Sequence, residues 1–581
     1  MSRQDEIEQN PDEQQVFYEE EEEEANFNEE EANFNEEEAP FEVEEDSKPS
    51  FTVSMSQVIE EGSVLMSKLR SDVTFCRAHF EHNDFEFEDP YLDSIKFRIP
   101  TTILPLSVSV VNGFYQSPYL LECKFEFAKQ NPYRTRPNIY SFVNPTYEGE
   151  TFPGSVLMKN RFRNFFSDNY KPSTNYRCQN YVLAPQVTVD QDKINSTIDM
   201  LVNEGFPLKK AKRALLFCSY DIEKARDFLI SGLLPQANFP IPVKYADCPL
   251  FYLILELCEA FFDMGDCCCV CGKKLGVYHL KPACCDEKNC QYAFMCLGVG
   301  SNIIGEIKRD PLATDLIIAL AGAAYAAPPS PPVFDPSPES QGLKLNMKFF
   351  QRLPSMQALC NKCNTDRDLK ELIGDNYYEI LRFFILANKA QFITLPDKVK
   401  TSLDINCPQF LVTSVSPESE LVFRDKRKDF GVKWLWHGSH ADRWYRIMHT
   451  GLKDLGRTDY QLHGGPWFGD GIYMSDSFRV SLGYCIAREN IYKNSKLPPY
   501  LLVISLVENA AVPELTGPVA PNEYTQRDDS ACITRVLLVV PTNNSTSNHN
   551  QFNSPGFNVL HTPPKVPTLH EVLSYQMQKF I

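Results

Sequence analysis

Tryptophan is scarce in this chain: four residues in 581, all between positions 434 and 467. Long apolar runs are missing as well. No stretch approaches the ~18 apolar residues that cross a bilayer as a helix. The two best candidates, LFYLILELCEAFF at 250–262 and LIIALAGAAYAA at 316–327, predict short buried helices, so no membrane span is expected. The N-terminus lacks the basic start and apolar segment of a secretory signal. With 19 cysteines in such a chain, the thiols are expected to hold metal or stay reduced rather than form disulfides. A cytoplasmic location is expected, with the nucleus left open. A basic excess is also absent. The formal charge is −20, and residues 1–46 alone hold 21 acidic residues and one arginine. The rest of the chain carries 56 residues of each sign, so nucleic acid is not indicated as a partner.

The acidic segment repeats as EEEEANFNEEEANFNEEEAPFEVEE with a seven-residue step but one aromatic per step, so no coiled-coil seam forms. Like charges at this density repel and stay disordered, which assigns 1–50 to a disordered tail. A docking role for a basic partner would use Phe27, Phe34 and Phe41 as anchors. Residues 51–185 read as an α+β domain, with alternating stretches such as YLLECKFEF at 119–127 predicting strands. That strand and the following NPYRTRPNIYSFVNP faintly resemble the ubiquitin-conjugating-enzyme-like or RWD folds. There is no His-Pro-Asn and no placed nucleophilic cysteine, so a non-catalytic version is implied; an unrelated α+β domain stays open.

In 193–235, Ile198, Leu201 and Val202 share one helical face, Ala211, Ala214 and Leu215 a second, and Ile222, Ala225, Phe228 and Leu229 a third. Gly205-Phe206-Pro207 breaks the chain between the first two. This three-helix bundle resembles a ubiquitin-associated domain, with Glu204 standing where the family loop has methionine. The resemblance implies ubiquitin binding through Phe206 and Leu229; a bundle without ligand stays open. Residues 326–342, AAPPSPPVFDPSPESQG, read as an extended Pro-rich linker, and 542–581 as a flexible polar tail.

Eight cysteines fall between 267 and 296. Cys268-x2-Cys271 and Cys285-x4-Cys290 give two close pairs around a turn at Gly272, which suits one tetrahedral zinc ion. Cys267, Cys269 and Cys284 leave the register open, His279 is an alternative ligand, and redox-sensing thiols are another reading. The pairs place a zinc-binding and helical segment at 245–325. Cys360-x2-Cys363 lies on an expected helix and reads as core.

The tryptophans surround WLWHGSHADRWYRIMHTGL at 434–452. GVKWLW predicts a strand ended by His437-Gly438-Ser439, and Ser439 with Asp442 predicts a capping box for the helix that follows. Trp444, Ile447 and Met448 form its apolar face and Gly451 its stop. QLHGGPWFGDGIYMSD at 461–476 follows as a glycine-rich loop and short strand, then SLGYC at 481–485. His-Gly-Ser, Gly-Ile-Tyr and Ser-x-x-Tyr-Cys in this order resemble the catalytic core of the poly(ADP-ribose) polymerase superfamily. LGVG at 297–300, DLIIALAGAA at 315–324 and ILRFFILANKAQFITLP at 380–396 extend the similarity to a branch of mono-ADP-ribosyltransferases with an upstream cysteine-rich segment.

The resemblance implies an ADP-ribosyltransferase fold over 343–541, an antiparallel split sheet with flanking helices. The whole chain is then a multidomain α+β protein. NAD is the implied substrate. Tyr473 and Tyr484 would stack on nicotinamide, Gly438 would meet its amide through the backbone beside Ser439, Ser481 would add a hydroxyl, and His437 would donate to the adenosine ribose. In polymerising members a late-strand glutamate supports chain elongation. The expected equivalent here is ACITRVLLVV at 531–540, which has no carboxylate and puts Val536 at that position. The implied reaction is transfer of single ADP-ribose units to protein acceptors with release of nicotinamide. The alternative is a catalytically weak scaffold that binds ubiquitin or NAD.

Overall fold

Alternation builds the first layer. In Ser94–Pro100, Ile95, Phe97 and Ile99 are buried while Lys96 and Arg98 face outward. The computed structural model describes residues 55–80, 83–104, 119–127, 132–144, 154–183, 191–206, 208–218, 220–231, 239–276, 279, 281–295, 302–327, 334–388, 390–401, 407–414, 417–455, 469–520, 522–542, 566–567 and 572. The acidic segment, with Phe27, Phe34 and Phe41, lies outside them, as does the glycine-rich loop at 456–468.

The strands Glu86–Phe87, Ser94–Pro100, Tyr119–Glu126 and Ile139–Val143 form a four-stranded antiparallel meander in that order. The helices Met55–Phe80 and Ser155–Phe165 flank it in sequence. Phe125 on the sheet stacks on Phe162 of the second helix at 5.2 Å between ring centres. On the outer face, Arg98 stands opposite Glu122 and bonds it at 2.9 Å. An α+β domain was expected here; a helix from far downstream completes it.

That helix is Pro249–Asp263, all fifteen of whose residues are buried. It was expected to belong with the cysteine cluster. Instead Leu250, Phe251, Leu253, Ile254 and Leu257 join the same core as the meander. Phe251 stacks on Phe80 of the first helix at 4.6 Å. The helix also buries Glu256, Glu259 and Asp263. Arg161 meets Glu256 at 2.7 Å and Asp263 at 2.8 Å, Arg177 pairs with Glu259 and Asp263, and Tyr176 donates to Glu256 at 2.9 Å. Acids three and four residues apart share a helical face, so one stripe of the helix is a paired polar seam and the rest is apolar.

Between the two parts of this core lie the helices Gln191–Asn203, Leu208–Phe217 and Ile222–Ser231. Ile198, Leu201, Ala211, Ala214, Leu215, Ala225, Phe228 and Leu229 are packed as the periodicity predicts, whereas Val202, expected on the first face, is exposed. The bundle is not free-standing: Phe228 meets Tyr181 at 5.8 Å, and Tyr181 meets Phe262 at 5.5 Å.

The C-terminal region is built on a second sheet. Its strands run in the order Leu515–Ala520, Glu523–Gln526, Ile472–Ser475, Val432–Gly438, Tyr500–Ala510, Cys532–Val540, Gln409–Ser414 and Gln391–Thr394, with Arg488–Glu489 added beside Tyr500. All pairings are antiparallel. Ile472–Ser475 and Val432–Gly438 are joined by one residue pair, Ser475 with Trp436, so the sheet is split there as expected. The buried helix Pro311–Tyr325 is capped by Asp310, whose carboxylate accepts from Ala313 and also from Thr394 of the sheet.

Two further expectations change. The segment 334–342 is not an extended linker: Phe334 sits among Tyr325, Phe384 and Tyr445 at 5.6, 6.1 and 5.5 Å. Part of the C-terminal segment is packed rather than flexible. Val572 is fully buried in the same core as Trp436, Phe478 and Val536, with Val566 against it.

Candidate active site and metal centre

His437 and Gly438 end the strand Val432–Gly438, at the split in the sheet. Histidine Nδ1 lies 2.9 Å from the carbonyl oxygen of Tyr473. A carbonyl only accepts, so Nδ1 carries the proton, and burial lowers the ring's pKa against the smaller opposing effect of this bond. The imidazole is therefore neutral and presents Nε2 as an acceptor. Donation from His437 to a ribose hydroxyl is thus reversed: the hydroxyl would donate to the ring.

Gly438 has no room for a side chain. A Cβ there would stand 1.8 Å from the carbonyl oxygen of Ser481 and 3.0 Å from Cys485 Sγ. Ser481 itself is buried and donates to the Trp436 carbonyl at 2.8 Å, so its oxygen lone pairs remain to accept. The helix Phe478–Gly483 is thereby held against the histidine strand, and Tyr484 follows it, 46% exposed. Tyr473 lies on the strand Ile472–Ser475, its hydroxyl donating to Gly469 at 2.7 Å. Gly471, which leads into that strand, has φ +139°, and a Cβ there would lie 2.4 Å from Thr525. The capping box expected from Ser439 and Asp442 does not form. A 3-10 turn at Ala441–Arg443 intervenes before the helix Trp444–Thr450, and Asp442 faces Arg488 at 3.4 Å instead.

Val536 is not part of this site. It is fully buried, paired with Leu506 and Leu411, in the core beneath the sheet. The late strand that does reach the site is Glu523–Gln526, paired with the Tyr473 strand so that Thr525 faces Tyr473 and Glu523 faces Ser475. Glu523 accepts from the Tyr484 hydroxyl at 3.4 Å. Burial, Glu523 and Tyr473, in that order, raise the Tyr484 phenol above its usual value. A carboxylate therefore stands beside the two tyrosines after all. Its backbone is fixed from behind, because Ser475 donates to the carbonyl of Asn522, and Asn522 has φ +72°. The signal in the sequence was the short NEYTQ after Pro521; four residues with one polar end offer far less periodicity than the nine of the neighbouring strand.

The four cysteines do converge. Ligand atoms of Cys268, Cys271, Cys285 and Cys290 all lie within 4.8 Å of one another, with Cys271 and Cys285 sulfurs 3.8 Å apart. Burial raises the Cys268 thiol, but backbone N–H groups of Cys271, Cys285 and Val270 outweigh it and lower the pKa, favouring a thiolate. Cys267 turns to Asp266, Cys269 enters the C-terminal core, and His279 bonds Gln391 at 2.9 Å. These lie outside the group of four. Cys363 is buried and Cys360 points to the Ile307 carbonyl, as core residues do. The module touches both sides of the chain: a Cβ at Gly272 would meet Leu157 and Asn160, and Arg424 donates to the Gly276 carbonyl at 3.2 Å.

The site is thus a split antiparallel sheet with His437 and Tyr473 across the split and a glycine pressed on Ser481. The poly(ADP-ribose) polymerase catalytic domain family matches residues 410–552. That match makes the C-terminal region similar to this catalytic domain, and two curated relatives are similar over longer stretches of the chain. The chain is 28% identical over 280 residues to the human protein mono-ADP-ribosyltransferase PARP8, covering 44% of this chain and 32% of that protein. It is 30% identical over 227 residues to the mouse protein of the same name, covering 35% of this chain and 26% of that one. The chain thus spans about a third or less of the length of these relatives.

Proposed function

We propose that this chain transfers single ADP-ribose units from NAD to protein acceptors and releases nicotinamide. The observation that carries the reading is the press of Gly438 against the Ser481 carbonyl, which puts a residue without a side chain at the end of the strand that meets the Tyr473 strand at the split. A nicotinamide amide meets the Gly438 backbone there and donates to Ser481, while its ring lies against Tyr473 and Tyr484. His437 accepts from an adenosine ribose hydroxyl. As the glycosidic bond breaks, positive charge develops on the ribose, and the Glu523 carboxylate stands where it stabilises that charge. This removes the main support for a scaffold without activity, which rested on a missing carboxylate.

Restriction to single units is supported by the names of the relatives, no longer by the absence of an acid. Incubation of the full chain with labelled NAD, followed by gel and intact-mass analysis, tests it. Discrete single additions are expected; a polymer ladder refutes the restriction, and no label with NAD still bound refutes the transferase reading.

Zinc is the proposed occupant of the four thiols, because a tetrahedral sulfur set within this span suits that ion. About one zinc per chain is expected by elemental analysis, and its absence from folded protein overturns the assignment. The ubiquitin reading survives only in altered form. Phe206 and Leu229 are buried inside the bundle, and Glu204 is tied to Arg226 by two bonds at 2.5 and 2.7 Å. The exposed apolar groups near the loop are Met200, Val202 and Leu208. Titration of labelled ubiquitin with the whole chain tests whether these bind it: shifts abolished by Leu208→Asp support the role, and unmoved resonances end it.

A further inference from the structure

The strap 334–342 crosses the helix that follows the His-Gly-Ser turn. Phe334 fills a slot between Tyr325, Phe384 and Tyr445. Tyr445 donates to the Pro336 carbonyl at 2.7 Å, and Arg446 faces Asp335 at 3.8 Å. Pro338 is buried, and the backbone of Leu343 bonds its carbonyl at 3.2 Å. Tyr445 and Arg446 belong to the helix Trp444–Thr450. The Trp444 ring lies 6.0 Å from that of His437, and its indole donates to Val503 of the central strand. The strap is thus two contacts from the histidine of the site.

At the middle of the strap stands Ser337, half-buried, followed directly by Pro338 and flanked by Asp335 and Glu339. We propose that Ser337 is a modification site for a proline-directed protein serine kinase, and that its phosphate releases the strap and slows the enzyme. In the step, Ser337 Oγ bonds to the γ-phosphorus of ATP, its proton passes to the kinase's base, and the bond to the β–γ bridging oxygen breaks, so that ADP leaves. A phosphoserine brings about two negative charges. It would bring them between two carboxylates that already act on this slot: Asp335 and Glu339, after burial, raise the Tyr445 phenol. Arg446 is the one cation paired with the strap among the described residues, and Asp335 already occupies it. Repulsion and the cost of burying the phosphate both oppose the seated strap. Phe334 leaves its slot, the helix Trp444–Thr450 loses two tethers, and His437 loses its packed neighbour.

The site itself is independent of the transferase reading; only the effect on rate rests on it. The full chain is treated with a proline-directed kinase and ATP, beside Ser337→Ala treated alike. Mass analysis is expected to find one phosphate on the Ser337 peptide, lost in the variant. Amide exchange is expected to quicken in 334–346 and 444–450, NAD labelling to fall about fivefold, and phosphatase to restore both. No phosphate on Ser337 of the folded chain, or a phosphate that leaves exchange in both segments unchanged, overturns the proposal. A chain that never labels from NAD speaks against the transferase reading alone, since the exchange measurement still decides the strap.

Discussion

Both sheets of this chain bury paired acids, Glu508 with Arg535 and Arg427 in the second, but in the second sheet unpaired polar atoms also gather beside the split. In the N-terminal core, Glu256, Glu259 and Asp263 go under with partners, each held by an arginine and at least one further group. In the C-terminal sheet, Trp436 Nε1, Asp476 Oδ1, Thr525 Oγ1 and Gln526 Nε2 are buried without a hydrogen-bond partner among the described residues. All four lie on or beside the strands that meet at the split. Paired burial specifies a structure; unpaired burial needs another explanation, and proximity to a ligand site is one. The unpaired atoms beside the split mark the part of the second sheet suited to meet a ligand.

If that contrast is right, the largest effects divide cleanly between stability and rate. Arg161→Ala should destabilise the N-terminal core by about 3 kcal/mol, since it takes from buried Glu256 its one arginine and from buried Asp263 one of two. Transfer at a temperature where the variant stays folded should be unaltered; denaturant melts with parallel NAD labelling check both halves, and a lost rate in folded protein breaks the division. Glu523→Gln should do the reverse. Removal of its charge should cost about 2.7–4 kcal/mol of transition-state stabilisation with the melting temperature barely moved; an unchanged rate would remove Glu523 from the site.

Gly438→Ala should lower transfer at least about a hundredfold, because the new methyl has to push the Ser481 turn away by more than 1 Å. Near-normal labelling by this variant would mean that the Gly438 backbone is not used. The smallest effect concerns pH. Burial pushes the Asp315 carboxyl up to about 6, above its ordinary value. The folded state then keeps a proton that the unfolded chain has already lost, so stability falls as pH rises from about 4 to 6 and stays lower above that. Asp315→Asn should remove this slope, gaining about 1–3 kcal/mol at pH 7 and nothing at pH 4; melts at the two pH values decide it.

Much of the catalytic sheet was readable because its signals are local. Trp434 to Gly438 is an apolar run that ends in glycine, and Ile472 to Ser475 follows a glycine that no other residue replaces at φ +139°. The bundle was readable for the same reason, its three faces recurring at helical spacing. The zinc-type pairs were readable, but their register was not, since Cys267 and Cys269 differ from Cys268 only in which way the backbone turns them. Glu523 was missed because its role comes from pairing with a strand fifty residues earlier, and pairing leaves no periodicity behind. The stronger hydrophobic run at 531–540 drew the assignment to Val536, where apolarity marks a core strand. Ser439 and Asp442 had the right letters for a cap, yet Asp442 is drawn to Arg488, from a segment that local spacing does not see.

One feature of the N-terminal core bears on how the chain is made. Its meander ends at Val143, but the helix that covers it begins at Pro249. During synthesis the sheet and its first helix leave the ribosome long before their lid exists, and Phe80 waits for Phe251. The three-helix bundle is translated in that interval, and its contacts are local, so it closes early. A fragment ending at 235 would therefore hold a finished bundle beside an unfinished core, with Arg161 and Arg177 facing water where three acids should be.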